Sequence, residues 1–151
     1  LVWLDAFSPR RCPQLWSLEF LAQLAALLKP EGRLITFSSA AAVRAALVAA
    51  GLQLASIAAS ASEQWSSDTV AAPTALGDSF PLRSLTAMEW DHLHCSAAEP
   101  YRDPTGEASA ATLLAERQLR QSRSSAISGS AWRRRWGVAS GFCQQSGMLI
   151  Q

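Results

Sequence analysis

Apolar strand-like runs and helical stripes alternate along the first 57 positions. Leu1-Val2-Trp3-Leu4 opens the chain with a short apolar run suited to a buried strand over residues 2–4, followed by a proline-punctuated loop over residues 8–13. Trp16, Phe20, Leu24 and Leu27 or Leu28 then recur at helical spacing. This predicts an amphipathic helix with Ser17 as its N-cap, Glu19 in the first turn where the helix dipole favours a negative charge, and an end at Lys29. Pro30-Glu31-Gly32 is turn chemistry, and residues 33–38 are β-branched and aromatic enough to form a second strand. Ser39 is expected to cap a second helix over residues 40–50, with Val43, Leu47 and Ala50 on its inner face and Gly51 as a left-handed terminator. Residues 52–57 read as a third strand. Strand, helix, strand, helix, strand with short connections implies right-handed crossovers and a sheet that is parallel at least locally.

Beyond residue 57 the periodicity weakens. Residues 58–81 drift to Ala, Ser and Thr, with one candidate strand near residues 69–72. Thr86-Ala87-Met88-Glu89 has the form of a capping box and predicts a helix to about Ala97, followed by a loop over residues 99–104. Another helical pattern spans about residues 108–123, and after a Ser/Gly stretch over residues 124–130 comes the cluster Trp132-Arg133-Arg134-Arg135-Trp136.

Composition narrows the class. With 151 residues, 49% hydrophobic and 17% charged, the chain suits one folded domain and excludes disorder throughout. Its richest apolar run, residues 20–28, contains Gln23 and stops at Lys29, well short of the roughly 20 residues needed to cross a bilayer, so no membrane association is expected. Cys12, Cys95 and Cys143 are far apart with no CxxC pair, which excludes a disulfide framework or zinc ribbon and fits a reducing, cytoplasmic setting. The first residue is Leu1, already inside an apolar run with no leader before it, and the expectation is a chain that begins partway through a larger domain. The net charge is only +1, yet residues 108–151 hold six arginines against one glutamate, so the tail is basic.

Asp5 stands where chemistry is expected. The segment Asp5-Ala6-Phe7-Ser8-Pro9 puts a carboxylate at the carboxyl end of a buried strand, and open α/β sheets bind ligands in the crevice beyond those ends. A strand-end aspartate also commonly caps a turn, Phe7 and Trp16 also suit a core, and helix capping alone accounts for Ser39. The spacing continues outward through Pro13, Trp16, Pro30-x-Gly32, the strand end Thr36-Phe37-Ser38-Ser39-Ala40, Val43-Arg44 and Ala49-Ala50-Gly51. Over about residues 1–52 this series resembles the methyltransferase domain of the bacterial enzymes that modify the tRNA wobble uridine, methylating 5-aminomethyl-2-thiouridine to 5-methylaminomethyl-2-thiouridine.

The resemblance implies an α/β fold: the carboxyl-terminal half of a class I, Rossmann-like S-adenosylmethionine-dependent methyltransferase domain over residues 1–75, with a helical, basic C-terminal extension over residues 76–151. It implies S-adenosylmethionine as cofactor and tRNA as partner. Asp5 would be catalytic, Asp5, Ala6 and Phe7 would touch the cofactor, and Phe7, Ser8, Pro9 and Ser38 would line the substrate slot. An amine attacks a sulfonium methyl only through a free lone pair, so a carboxylate accepting its N–H orients it and can take up the proton. The family's glycine-rich nucleoside loop and the acidic residue after its second strand have no counterpart in this sequence, and Ser60 to Asp68 stands in place of its basic segment before the last strand. The rival expectations are a methyltransferase for some other amine, and a silent RNA-binding module whose basic tail is the active part.

Two further clusters carry weaker signals. Asp91, His92, His94 and Cys95 invite a metal reading, but on a helix the two histidines project about 200° apart, so no metal is expected and solvated helix residues are the reading taken. Arg117, Arg120 and Arg123 recur every three residues and continue into Arg133, Arg134 and Arg135. Functionally they would contact tRNA phosphates, with Trp132 or Trp136 stacking on bases; structurally they form a solvated face whose tryptophans pack back on the domain.

Overall fold

The computed structural model describes residues 1–57, 68–78 and 80–138. In chain order the elements are β1 (Val2–Trp3), a 3₁₀ turn (Pro13–Trp16), α1 (Leu18–Ala26), β2 (Leu34–Thr36), α2 (Ala41–Ala49), β3 (Gln53–Ile57), β4 (Thr69–Ala72), β5 (Leu82–Ser84), α3 (Ala87–His92), a second 3₁₀ turn (Ser96–Ala98), α4 (Ala110–Arg123) and α5 (Gly129–Trp136).

The first helix starts as its sequence requires. The Ser17 hydroxyl accepts from the Phe20 N–H at 3.2 Å, with Glu19 in the first turn. Trp16 lies in the 3₁₀ turn just before the cap and not within the helix stripe, though it is buried. The helix closes at Ala26, earlier than Lys29, because the chain tightens there into bonds from Leu27 to Leu24 and from Leu28 to Ala25. At the next turn the Gly32 N–H donates to the Lys29 carbonyl at 2.7 Å, and a Cβ on Gly32 would sit 2.9 Å from that same oxygen. The second helix departs from expectation at its start: Ala40 is the cap residue and no side chain caps it, while Ser39 makes no capping bond. Its end is as predicted, with Gly51 at φ +86°, a backbone conformation open to glycine.

One mixed sheet holds all five strands in the order β1-β2-β4-β3-β5. β1 and β2 are parallel, Val2 facing Leu34 and Trp3 facing Ile35. β4 enters between β2 and β3 antiparallel to both, so β2 and β3 run in the same direction without being neighbours. The parallel sheet expected locally therefore holds for β1 and β2 only, since the strand pair β3–β4 closes that side as an antiparallel ribbon. β5, which no sequence pattern marked, adds antiparallel to β3. Both crossovers step the same way across the sheet, which puts α1 and α2 on one face, where Trp16, Leu21, Leu34, Val43, Leu47 and Leu54 form the core with Leu85 and Tyr101 from later in the chain. No helix among the described residues is long and apolar enough to cross a membrane.

The later segment is fastened to this core by polar bonds. The Thr86 hydroxyl and the Glu89 carboxylate form the expected capping box, but α3 stops at His92, short of Ala97, and the chain turns through the second 3₁₀ segment. Glu19 accepts from the Asp103 N–H at 2.7 Å and from the Arg102 guanidinium at 2.6 Å, tying residues 99–108 to the start of α1. The Trp132 cluster folds as α5, capped by Ser128, and Trp132 is 1% exposed. Trp132 is thus a core residue that cannot stack on a base, and the Trp136 indole N–H donates to the Asp91 carboxylate at 2.7 Å.

Candidate functional site

A cavity of about 670 Å³ opens beyond the carboxyl ends of β1 and β2. One wall comes from the strand ends and the N-terminus of α2: Asp5, Ala6, Ser8, Pro9, Thr36, Phe37, Ser38 and Ser39. The other comes from the later segment, with His92, Ala97, Tyr101, Arg117, Gln121 and Arg133. Of the residues singled out in the sequence, Asp5, Ala6, Ser8, Pro9 and Ser38 are brought together on this cavity. Phe7 is not on its wall: the ring is 70% exposed and Arg11 lies over it at 5.4 Å.

The strand end is held by local bonds. The Leu4 N–H donates to the Ile35 carbonyl at 2.9 Å, so the chain leaves the sheet at Asp5. The Ser8 carbonyl accepts from the Arg11 and Cys12 N–H groups, and the Trp16 indole N–H donates to the Phe7 carbonyl at 2.7 Å. Trp16 therefore does two things: its ring fills the core and its N–H pins the loop that carries Asp5. Asp5 is exposed on the cavity and makes no hydrogen bond or ion pair among the described residues, so the turn-cap role open to it in the sequence is not the one it plays here. Ser38 is half-buried, with its hydroxyl accepting from the Ala40 N–H at 3.4 Å and its carbonyl accepting from the Thr69 hydroxyl at 2.8 Å.

Behind the cavity lies a buried polar network that sequence reasoning did not find. Arg44, on α2, is 1% exposed. Its guanidinium donates to the Thr69 hydroxyl at 2.9 Å, the Glu89 carboxylate at 3.1 Å, the Ser56 hydroxyl at 3.2 Å and the Asp68 carbonyl at 3.0 Å. Glu89 also accepts from Arg83 at 2.6 Å, so one carboxylate joins α2, β5 and α3.

His92 corrects the solvated reading of its segment. It is 6% exposed and stacks on Trp132, with ring centroids 4.0 Å apart, whereas His94 is exposed and its Nδ1 lies 2.9 Å from the Trp90 carbonyl. Burial, followed by the positive charges of Arg44 and Arg133, pushes the His92 pKa down to about 4, against the opposing pull of Asp91 and Glu89. The ring is neutral at pH 7. Unfolded chain takes up this proton first, so stability present above about pH 6.5 is expected to fall as pH drops toward 4, with His92 adding up to about 1.4 kcal/mol per pH unit. Urea unfolding between pH 7 and 4 should show a shallower decline for His92→Phe; parallel slopes for parent and variant would remove His92 from the acid response. Cys95 is buried, its thiol donates to the His92 carbonyl at 3.1 Å, and burial raises its pKa, so it is no ready nucleophile. No three His, Cys, Asp or Glu side chains converge among the described residues, and Cys143 lies outside them.

The basic stripe divides on inspection. Arg117 donates to the Glu99 and Ala97 carbonyls and lies 4.6 Å over the Tyr101 ring, and Arg120 pairs with the Glu99 carboxylate at 2.7 Å. Arg135 approaches Asp91 at 3.4 Å, while Arg123 and Arg134 are exposed. A uniformly solvated face is therefore not what α4 and α5 present.

As for a methyl donor, the wall offers the Asp5 carboxylate, unpaired among the described residues, to balance a sulfonium charge, and Trp16 and Tyr101 add aromatic surface to the cavity. These residues suit the methyl-bearing end of such a molecule. Among the described residues no glycine lines the cavity, so nothing described on it resembles a nucleoside-cradling glycine loop.

Comparison with known proteins agrees with this geometry. Residues 1–64 match a family described as S-adenosyl-L-methionine-dependent methyltransferase. The tRNA 5-methylaminomethyl-2-thiouridine biosynthesis bifunctional protein MnmC of Caulobacter sp. (strain K31) is 48% identical over 52 residues, 34% of this chain and 9% of the relative. The protein of that name from Aeromonas salmonicida (strain A449) is 40% identical over 52 residues, 34% of this chain and 8% of the relative. Among solved structures, MNMC2 from Aquifex aeolicus superposes with a TM-score of 0.70 at 26% identity, covering 82% of this chain and 38% of that chain. The chain thus spans less than a tenth of the curated relatives it matches and well under half of the solved one. Its fold is that of part of a class I, Rossmann-like methyltransferase domain.

Proposed function

We propose that this chain forms the substrate side of an S-adenosylmethionine-dependent N-methyltransferase that acts on the aminomethyl group of a tRNA wobble uridine. One observation carries the reading: Asp5 stands on the cavity beyond β1, bonded to nothing among the described residues, inside the segment that matches the methyltransferase family. The boundary near residue 75 would then divide a methyltransferase part from an extension that supplies the cavity's second wall.

S-adenosylmethionine, when bound, supplies an electrophilic methyl. The Asp5 carboxylate accepts an N–H of the amine, directs its lone pair into the cavity, and receives the proton that the amine sheds. Ala6 and Pro9 shape the wall beside Asp5, Ser8 and Ser38 offer hydroxyl groups along it, and Phe7, exposed between Ala6 and Ser8, would meet the incoming nucleotide. Holding amine and methyl in line can supply roughly 7 to 11 kcal/mol of the barrier reduction. An anticodon base is single-stranded, so it enters such a slot without opening a duplex. The basic tail would draw the RNA in, its six arginines against one glutamate over residues 108–151 standing out in a near-neutral chain.

The experiment is methyl transfer to tRNA that carries 5-aminomethyl-2-thiouridine, set against free small amines. Methylation that requires the tRNA supports the reading, and equal methylation of a free amine would replace it with the other-amine alternative.

A further inference from the structure

We propose that the cavity wall opposite Asp5 is an oxyanion subsite, formed by the guanidinium groups of Arg117 and Arg133, that takes the phosphodiester next to the nucleotide whose amine meets Asp5. This rests on the RNA-methyltransferase reading above and adds to it a site in the later segment, beyond the 64 residues that match the family.

Charge balance singles out these two residues. Arg117 and Arg133 line the cavity, and Asp5 is the sole carboxylate on that lining among the described residues. His92 is neutral and Arg10 adds another cation, so the cavity holds three arginines against one aspartate. Arg117 is held in place by neutral partners, donating to the Glu99 carbonyl at 2.6 Å and the Ala97 carbonyl at 2.8 Å, with Tyr101 beneath it. No carboxylate bonds to it, and its Nη1 has no partner among the described residues. Arg133, half-buried, makes no hydrogen bond or ion pair among the described residues. The other cations of the tail differ: Arg120 is bonded to the Glu99 carboxylate, Arg135 to Asp91, and Arg123 and Arg134 lie off the cavity. A fixed, unneutralised guanidinium facing a partly desolvated cavity is a ready binder of a planar or tetrahedral oxyanion. The ligand that satisfies both walls carries an amine at one end and an anionic group at the other, as an amine-bearing nucleotide does.

A phosphodiester and the carboxylate of the methyl donor share this chemistry, and the test separates them. Binding of a fluorescent anticodon stem-loop RNA and of S-adenosylmethionine is measured with the 151-residue chain and with Arg133→Gln, Arg133→Lys and Arg123→Gln. Arg133→Gln is expected to weaken RNA binding about tenfold and to flatten its salt dependence by just under one unit of slope, with Arg133→Lys recovering most of the loss and Arg123→Gln, an outlying cation of the tail, costing only about threefold. Arg117→Gln should weaken RNA binding as well, with some loss of melting temperature because it also braces Ala97 and Glu99. Equal effects of Arg123→Gln and Arg133→Gln overturn the subsite while leaving RNA binding by the tail intact. A loss confined to S-adenosylmethionine binding overturns it in favour of the donor's carboxylate. Failure of the parent chain to bind the RNA at any salt concentration removes the reading on which the subsite rests.

Discussion

Glu89→Ala is expected to cost the fold about 3 to 5 kcal/mol, because it removes one partner of a buried ion network and leaves the other in place. Glu89 is 0% exposed, and its carboxylate accepts from Arg44, from Arg83, and from the Thr86 N–H at 2.9 Å. Without it, Arg44 keeps its bonds to Thr69, Ser56 and the Asp68 carbonyl but loses the carboxylate bonded to its charge. The Glu89 half of the α3 capping box, its bond from the Thr86 N–H, is lost with it, while the Thr86 hydroxyl still accepts from the backbone N–H at position 89. Glu89→Gln keeps an acceptor and should cost less. Burial by itself would raise the Glu89 pKa, yet the Arg83 and Thr86 hydrogen bonds and the charges of Arg44 and Arg83 outweigh it and hold the group below its usual value. The network therefore stabilises the fold above the ordinary carboxylate range and weakens as pH falls through the lower folded-state value, in the same direction as the contribution of His92. Denaturant unfolding at pH 7 checks the magnitude. A loss under about 1 kcal/mol would mean that water reaches Arg44 once Glu89 is gone.

The second large effect concerns chemistry. Asp5→Asn keeps the shape of the strand end but cannot take a proton, so turnover is expected to fall by about 10² or more. Because Asp5 is exposed and bonded to nothing among the described residues, the same change should leave melting unaltered. That combination, slow and fully folded, separates a catalytic carboxylate from a structural one. A variant with near-parent turnover would assign Asp5 to the fold, and a variant that melts early would show that its carboxylate holds the loop.

Local chemistry was legible where the partners are near in sequence. Ser17, Gly51, and the box from Thr86 to Glu89 each act within a turn or two and are placed by spacing alone, whereas Glu19, placed in the first turn by the same reasoning, takes its bonds from Arg102 and Asp103, 83 and 84 residues away. What was missed depends on distant partners. Arg44 carries no local sign of burial in the sequence, and its burial follows from Ser56, Thr69 and Glu89, which lie 12, 25 and 45 residues away. The three residues of β5 are too few to show a period, and their pairing with β3 decides their state. The arginines of α4 have the spacing of a surface stripe, yet Arg117 and Arg120 turn toward carbonyls and a carboxylate about 20 residues earlier. The site shows the same division. Asp5 was found by its position after a strand, whereas His92, Tyr101 and Arg133 join it across the cavity through tertiary packing that no motif announces.

The proposed function stands on methyl transfer to a tRNA amine directed by Asp5. Its most direct test sets the chain in place of the segment of the Aquifex aeolicus protein on which it superposes, so that the rest of that protein completes the domain and the buried network of Arg44 and Glu89 stays within one chain. The purified chimaera is incubated with isotopically labelled S-adenosylmethionine and tRNA carrying 5-aminomethyl-2-thiouridine, and the nucleosides are separated after digestion. Label is expected in 5-methylaminomethyl-2-thiouridine, reduced by about 10² or more when Asp5 is replaced by asparagine. A folded chimaera that leaves the tRNA unlabelled, or one that labels it equally well with Asp5→Asn, would contradict the proposed function.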